Sequence, residues 1–141
     1  MRIAIGKIGK SIKFGPEEKG TGKKAMTAGS IDARIIFQTL IKFNPQDTFY
    51  LIGRSNFSRL KPDVRKKVDP HGNVIDVWAK FKDWFDNQDD KDEVTESWRY
   101  IEHVIKTEDK FDIGIFIAGG VLEYAVQGKT LKDGKPIKTL M

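Results

Sequence analysis

Apolar residues fall into two spacings along this chain. One is a set of short, nearly continuous runs. Ile3-Ala4-Ile5 opens the chain, Thr48–Gly53 reads TFYLIG, and Phe111–Ala118 is apolar almost throughout. Runs of this kind, bounded by glycine, predict strands buried on both faces, the pattern of parallel sheets. The other spacing is helical. Ile31, Ile35 and Leu40, flanked by Ile36, Phe37 and Ile41, trace a wide apolar face and predict a helix over 31–43 that stops at Asn44-Pro45. Val94, Trp98, Ile101, Val104 and Ile105 predict a second over 92–107. Ser30 is the expected N-cap of the first helix, with Asp32 placing negative charge in its first turn.

Between these lie less decided segments. Ser11–Phe14 (SIKF) either extends the first strand, expected over 2–7, or pairs beside it. Residues 15–29 are a glycine- and lysine-rich loop. A polar, basic connection follows the second strand, with one short helical turn near Asp63–Lys67. Residues 74–78 (VIDVW) fit either period: Val74, Val77, Trp78, Phe81, Trp84 and Phe85 share helical spacing, whereas the β-branched content favours a strand, the assignment expected here. Residues 86–93 are an acidic loop. The polar tail carries a KDGK turn, and Ile137–Met141 is expected to start another helix.

Strand, helix and strand within the first 53 residues form a βαβ unit, and the alternation continues. The expected fold is therefore α/β: a single Rossmann-like domain over 1–141, with a mostly parallel sheet flanked by helices. In such sheets ligands bind beyond the carboxyl ends of the strands. The loop after the first strand, Gly53–Asn56 and Ala118–Gly120 should meet there.

Composition narrows the classes. The chain has no cysteine, so disulfides and zinc–thiolate sites are excluded and a reducing compartment is favoured. No stretch approaches the ~18 apolar residues of a membrane span, and the first apolar run is too short for a secretory signal, so a cytoplasmic protein without membrane partners is expected. The net charge of +5 is unevenly spread: residues 1–74 hold 15 Lys/Arg against 6 Asp/Glu, and residues 75–141 hold 10 against 14. The basic half suits phosphates, nucleotides or nucleic acid, or simply keeps loops solvated.

Glycines and lysines raise the question of a phosphate loop. Gly15 and Gly20 have Walker A spacing, but Thr21 stands where lysine is needed, and the register ending at Gly22-Lys23 has Glu17 in place of the first glycine. The dinucleotide fingerprint fails too, because Gly6 and Gly9 are two residues apart and the helix starts far downstream. A looser anion site survives: Gly6, Lys7, Gly9 and Lys10 beyond the first strand, Gly29 and Ser30 at the helix start, and Gly119 and Gly120 after the last strand. Set against it is the ordinary use of glycine in turns.

Among carboxylates, Glu123 after the double glycine is the weak candidate for a catalytic base, and Asp112 is worse placed. His71 lies in a turn and His103 on a helix, neither with a partner at metal-ligand spacing, and residues 86–97 lack the glycine and glutamate of a calcium loop; no metal is expected. Trp78, Phe81, Trp84 and Phe85 are either a stacking surface for a sugar or base, or core. Arg54, Arg59, Lys61, Arg65, Lys66 and Lys67 form the densest basic cluster, the candidate nucleic-acid surface, unaccompanied by any standard nucleic-acid motif.

Met1–Phe14, the first helix, Phe49–Asn56 (FYLIGRSN) and Phe111–Gly120 (FDIGIFIAGG) together resemble the N-terminal, acceptor-side half of GT-B-fold glycosyltransferases, notably phage-encoded ones. The resemblance implies a Rossmann-like domain that binds acceptor and closes over the phosphates of a nucleotide-sugar donor. No other cofactor is implied. Gly6, Lys7, Gly9 and Lys10 would face the donor, and Gly119, Gly120 and Glu123 would line the cleft. A complete enzyme of that fold needs roughly twice this length, so the expectation is the N-terminal part of a longer chain, inactive alone, with a second domain or an oligomer partner. The alternative is a standalone Rossmann-like protein that binds a nucleotide or nucleic acid through its basic half.

Overall fold

The structure, a computed structural model, describes residues 1–7, 12–15, 28–89, 99, 100, 102–104, 107, 111–117 and 137–140. Its elements are β1 (Arg2–Lys7), α1 (Ala28–Phe43), β2 (Thr48–Leu51), a 3-10 turn (Phe57–Arg59), α2 (Pro62–Val68), β3 (Val74–Asp76), α3 (Val77–Asp86), β4 (Ile113–Ile117) and β5 (Ile137–Leu140). Residues 99, 100, 102–104 and 107 are helical, as the periodicity from Val94 onward predicts.

The five strands form one sheet in the order β3-β2-β1-β4-β5, and every pairing is parallel. Strand alternation decides what each face carries. Ile3 and Ile5 of β1, Phe49 and Leu51 of β2 and Ile117 of β4 join Ala33, Phe37 and Ile41 of α1 and Val68 of α2 in one core. Ala4, Ile52 and Phe116 face the opposite way and pack with Val77, Trp78 and Phe85 of α3, Tyr100, Val104 and Phe111. A parallel sheet with both faces covered is what the near-continuous apolar runs require. The helices α1 and α2 share one face while the chain steps from β1 outward to β3. The α3 face is filled as it returns to β4, as right-handed crossovers demand. This is the Rossmann-like α/β architecture. Among the described residues no helix is long and apolar enough to cross a membrane.

Several local expectations are corrected. Helix α1 begins at Ala28, so Ser30 is its third residue and not its N-cap, and Asp32 lies beyond the first turn. Ala28 is a strong helix former, which suits the extra turn. The buried stripe is Ala33, Phe37 and Ile41, an i, i+4 series, whereas Ile35 is 53% exposed because it falls on the far side of the cylinder. Residues 74–78 are not one strand: the strand ends at Asp76 and the helix starts at Val77 without a loop. Ile137–Leu140 is a strand paired with β4, not a helix start. Ile12 does not extend β1 but bridges to Ser55, beyond the end of β2.

A carboxyl-edge candidate site

The parallel order brings the ends of β1, β2, β3 and β4 to one edge. Lys7 is in register with Ile117, and Leu51 with Asp76. The chain reverses its direction of travel between β1 and β4, which is where an open α/β sheet leaves its ligand crevice.

Gly6 and Gly53 sit at this edge back to back. A Cβ on Gly6 would lie 2.9 Å from the Gly53 nitrogen, and one on Gly53 would lie 2.8 Å from the Lys7 nitrogen. Both obstacles are backbone, so no rotamer change relieves them. The absence of a side chain at Gly6 therefore lets β1 and β2 approach; glycine there serves the sheet whether or not a ligand comes near.

The residues after β2 form a clamp. The Ile12 N–H donates to the Arg54 carbonyl (2.9 Å) and the Asn56 N–H to the Ile12 carbonyl (3.2 Å). The Asn56 side chain, wholly buried, completes it: Oδ1 accepts the Phe14 N–H at 2.9 Å and Nδ2 donates to the Gly15 carbonyl at 3.1 Å. Ser55, also buried, accepts the Phe57 N–H at its hydroxyl (3.3 Å), starting the 3-10 turn. Residues 12–15 are thereby strapped alongside the end of β2. Gly15 holds a φ of +148°, with Val64 Cγ1 2.8 Å from where its Cβ would stand.

Among the described residues, Lys7 and Arg54 stand directly at the edge. Lys7 ends β1. Arg54 follows β2 with its guanidinium over the Phe85 ring (4.9 Å) and near the Trp78 ring (5.9 Å), a geometry that holds a cation flat against α3. The basic cluster read from sequence is divided by the fold. Arg54, Arg59 and Lys61 lie where the chain leaves β2. Lys66 and Lys67 lie in the last turn of α2, next to the Asp69 carboxylate that accepts the Asn73 and Val74 N–H groups at the opposite, amino end of β3. At a helix C-terminus cations answer the dipole. Arg65 reaches back from that turn, donating to the Ser58 carbonyl (2.9 Å) beside the Phe57 ring (5.7 Å).

The aromatic set Trp78, Phe81, Trp84 and Phe85 proves to be core on the α3 face, with Trp78 and Phe85 buried and Phe81 and Trp84 packed at its margin. Tyr100 is its hub, 4.7 Å from Trp78 and edge-on to it. His103 stacks on Trp84 at 4.2 Å and 3°. His71 donates from Nε2 to the Lys42 carbonyl (2.9 Å), tying the turn before β3 to the end of α1. Asp112 is occupied at the amino edge: it accepts the Arg2 N–H (2.8 Å) while its own N–H donates to the Arg2 carbonyl (2.7 Å).

Of the sequence candidates, Gly6, Lys7 and Arg54 come together at the carboxyl edge. Gly29 and Ser30 are the second and third residues of α1. Gly9, Lys10, Gly119, Gly120 and Glu123 lie outside the described residues. No group of three or more His, Cys, Asp or Glu able to hold a metal occurs among the described residues.

Sequence reasoning missed Asp76, the last residue of β3 and the N-cap of α3, where Oδ1 accepts the Ala79 N–H at 3.3 Å. An Asp directly before the 77/78/81/84/85 spacing is a cap signal that could have revealed it. Burial is the main cause that raises the Asp76 carboxyl pKa, and it outweighs the hydrogen bonds that lower it.

The fold and the edge thus define an α/β chain of Rossmann-like order. Comparison with known proteins adds no family to that class: no family model, curated protein or solved structure matches the chain.

Proposed function

We propose that the carboxyl edge binds a phosphate-bearing ligand, and that the chain is the acceptor-side domain of a nucleotide-sugar glycosyltransferase. The observation that carries the first part is the strand order. It collects the ends of β1 and β2, with Lys7 and Arg54, on one rim beside the β1/β4 reversal. The sugar-transfer part rests on the likeness of FYLIGRSN and FDIGIFIAGG to GT-B N-terminal halves. In this reading Lys7 and Arg54 supply charge to the donor phosphates. The acceptor, a second domain and Glu123 as base complete the chemistry.

The test is a thermal-shift and calorimetric panel of UDP- and GDP-sugars, ATP, NAD and single-stranded DNA. A ligand that binds only the native state must raise its melting temperature. A nucleotide-diphosphate sugar should do so, and the shift should shrink in Arg54→Gln. A shift with single-stranded DNA alone would instead favour the standalone nucleic-acid reading, which the exposed Lys61, Lys66 and Lys67 supply with charge. No shift with any phosphate compound removes both.

A further inference from the structure

Trp78 and Phe85 lie about two turns apart on α3 and so share one stripe of the helix. α3 follows β3 without a loop, and Asp76 caps it at that junction, so the stripe starts at the carboxyl edge of the sheet. Both rings are buried, with centroids 5.1 Å apart and planes at 70°. Tyr100 packs edge-on against each, at 4.7 Å from Trp78 and 6.3 Å from Phe85. Packing this close leaves the two rings little freedom to turn away.

Arg54 rests on that stripe from the end of the neighbouring strand. Its guanidinium carbon is 4.9 Å from the Phe85 centroid and 5.9 Å from that of Trp78. The backbone is held as well. The Arg54 carbonyl accepts the Ile12 N–H, and Gly53 before it lies against the backbone of Gly6 and Lys7. An arginine on an open surface gives up much rotamer freedom when it closes on an anion. Here folding has already removed much of that freedom. A ring face attracts the cation through its quadrupole and takes none of the in-plane N–H donors of a stacked guanidinium. The contact therefore places the group without spending on α3 the donors that an anion needs.

We infer that Phe85 and Trp78 are positioning residues of the carboxyl rim: their ring faces hold the Arg54 guanidinium in place for the diphosphate group of a nucleotide ligand. This rests on the rim reading above and names the part of the fold that presents its arginine. Two consequences separate it from a plain core role. The electron density of the Phe85 ring, and not its volume alone, sets the affinity for the anion. Phe85 also acts through Arg54, so losing its ring has no further effect on binding once Arg54 is gone.

The experiment is a calorimetric titration of the full chain with UDP-glucose, GDP-mannose and inorganic diphosphate. It compares the wild type, Arg54→Gln, Phe85→Leu, the double variant, and chains carrying mono-, di- or trifluorophenylalanine in place of Phe85. Fluorine draws electron density from the ring face and leaves its size nearly unchanged, so these chains keep the core and weaken the hold on the cation. At least one probe should bind the wild type, and its Kd should rise stepwise with fluorination, by about threefold to tenfold over the series. Phe85→Leu should weaken the same probe by at least as much, and the double variant should bind no more weakly than Arg54→Gln alone. The inference is overturned, with the rim reading intact, if Arg54→Gln weakens binding while the fluorinated chains bind as the wild type does. A Kd that falls with fluorination overturns it too, because the ring would then be withholding the cation. So does a loss in the double variant equal to the sum of the two single losses, the mark of a merely structural role. If no probe binds the wild type, or Arg54→Gln leaves binding unchanged, the rim reading and this inference go together. Should Phe85→Leu fail to fold, the fluorinated series decides by itself.

Discussion

Asn56 shows how much one side chain can decide. Its amide satisfies a donor and an acceptor on a strap more than 40 residues earlier in the chain, at Phe14 and Gly15. Both bonds are part of why residues 12–15 stay beside the end of β2. Replacing Asn56 by Ala leaves the Phe14 N–H and the Gly15 carbonyl to find other partners, at about 1–3 kcal/mol for each group left orphaned. Urea unfolding of Asn56→Ala should show a lower midpoint with an unchanged slope. A variant as stable as the wild type would mean that the strap is not held there. Sequence could not expose this. Asn in a glycine-bounded turn is common for local reasons, and nothing in GRSN names a partner so distant. For a related reason, glycine at position 6 has a use that sequence did not show: a Cβ there would meet the backbone of Gly53, a residue 47 positions away.

At the scale of elements, legibility followed length. Helix α1 and strands β1, β2 and β4 lie in stretches whose apolar spacing is long enough to declare them, β2 within the six-residue run TFYLIG. The β3–α3 junction is not: three strand residues pass directly into a helix, and Asp76 serves as the end of one and the cap of the other. A window of residues then mixes two periods. β5 was misread because the chain alone does not say that the free edge of β4 is available to a short run such as Ile137–Leu140. The contact of β1 with β2 yields its own prediction. Gly6→Ala and Gly53→Ala should each destabilise by about 1–3 kcal/mol, the usual cost of overpacking a site that cannot yield. Because both clash across the same gap, the double variant should lose clearly less than the sum. Full additivity in a denaturant cycle would show that the two backbones do not meet.

For the molecule as a whole, sequence gave the class of fold but not the placement of charge. The excess of Lys/Arg before residue 75 was plain, yet its division was not, because a helix that runs back across the sheet carries its last turn to the opposite edge. Arg54 belongs to the carboxyl rim, and Lys66 and Lys67 to the far end of α2. Two kinds of ligand therefore separate by which cations they use. A compact phosphate ligand at the rim depends on Arg54 and ignores the other two. Arg54→Gln should then weaken a nucleotide sugar by about 1.5–3 kcal/mol, the worth of a charge-assisted hydrogen bond, or roughly tenfold or more in Kd. The paired change Lys66→Gln with Lys67→Gln should leave that Kd within about twofold, since surface charges beyond a Debye length of ~8 Å are largely screened at physiological salt. An extended polyanion would behave differently, engaging both ends of α2. Its binding should then weaken in the lysine pair as well, and the slope of log K against log salt should fall by about 0.7 for each single-strand phosphate contact removed. Measured on the same protein at three salt concentrations, the two patterns do not overlap: a rim ligand makes Arg54 the sensitive position, and a polyanion spreads the loss over the basic wing.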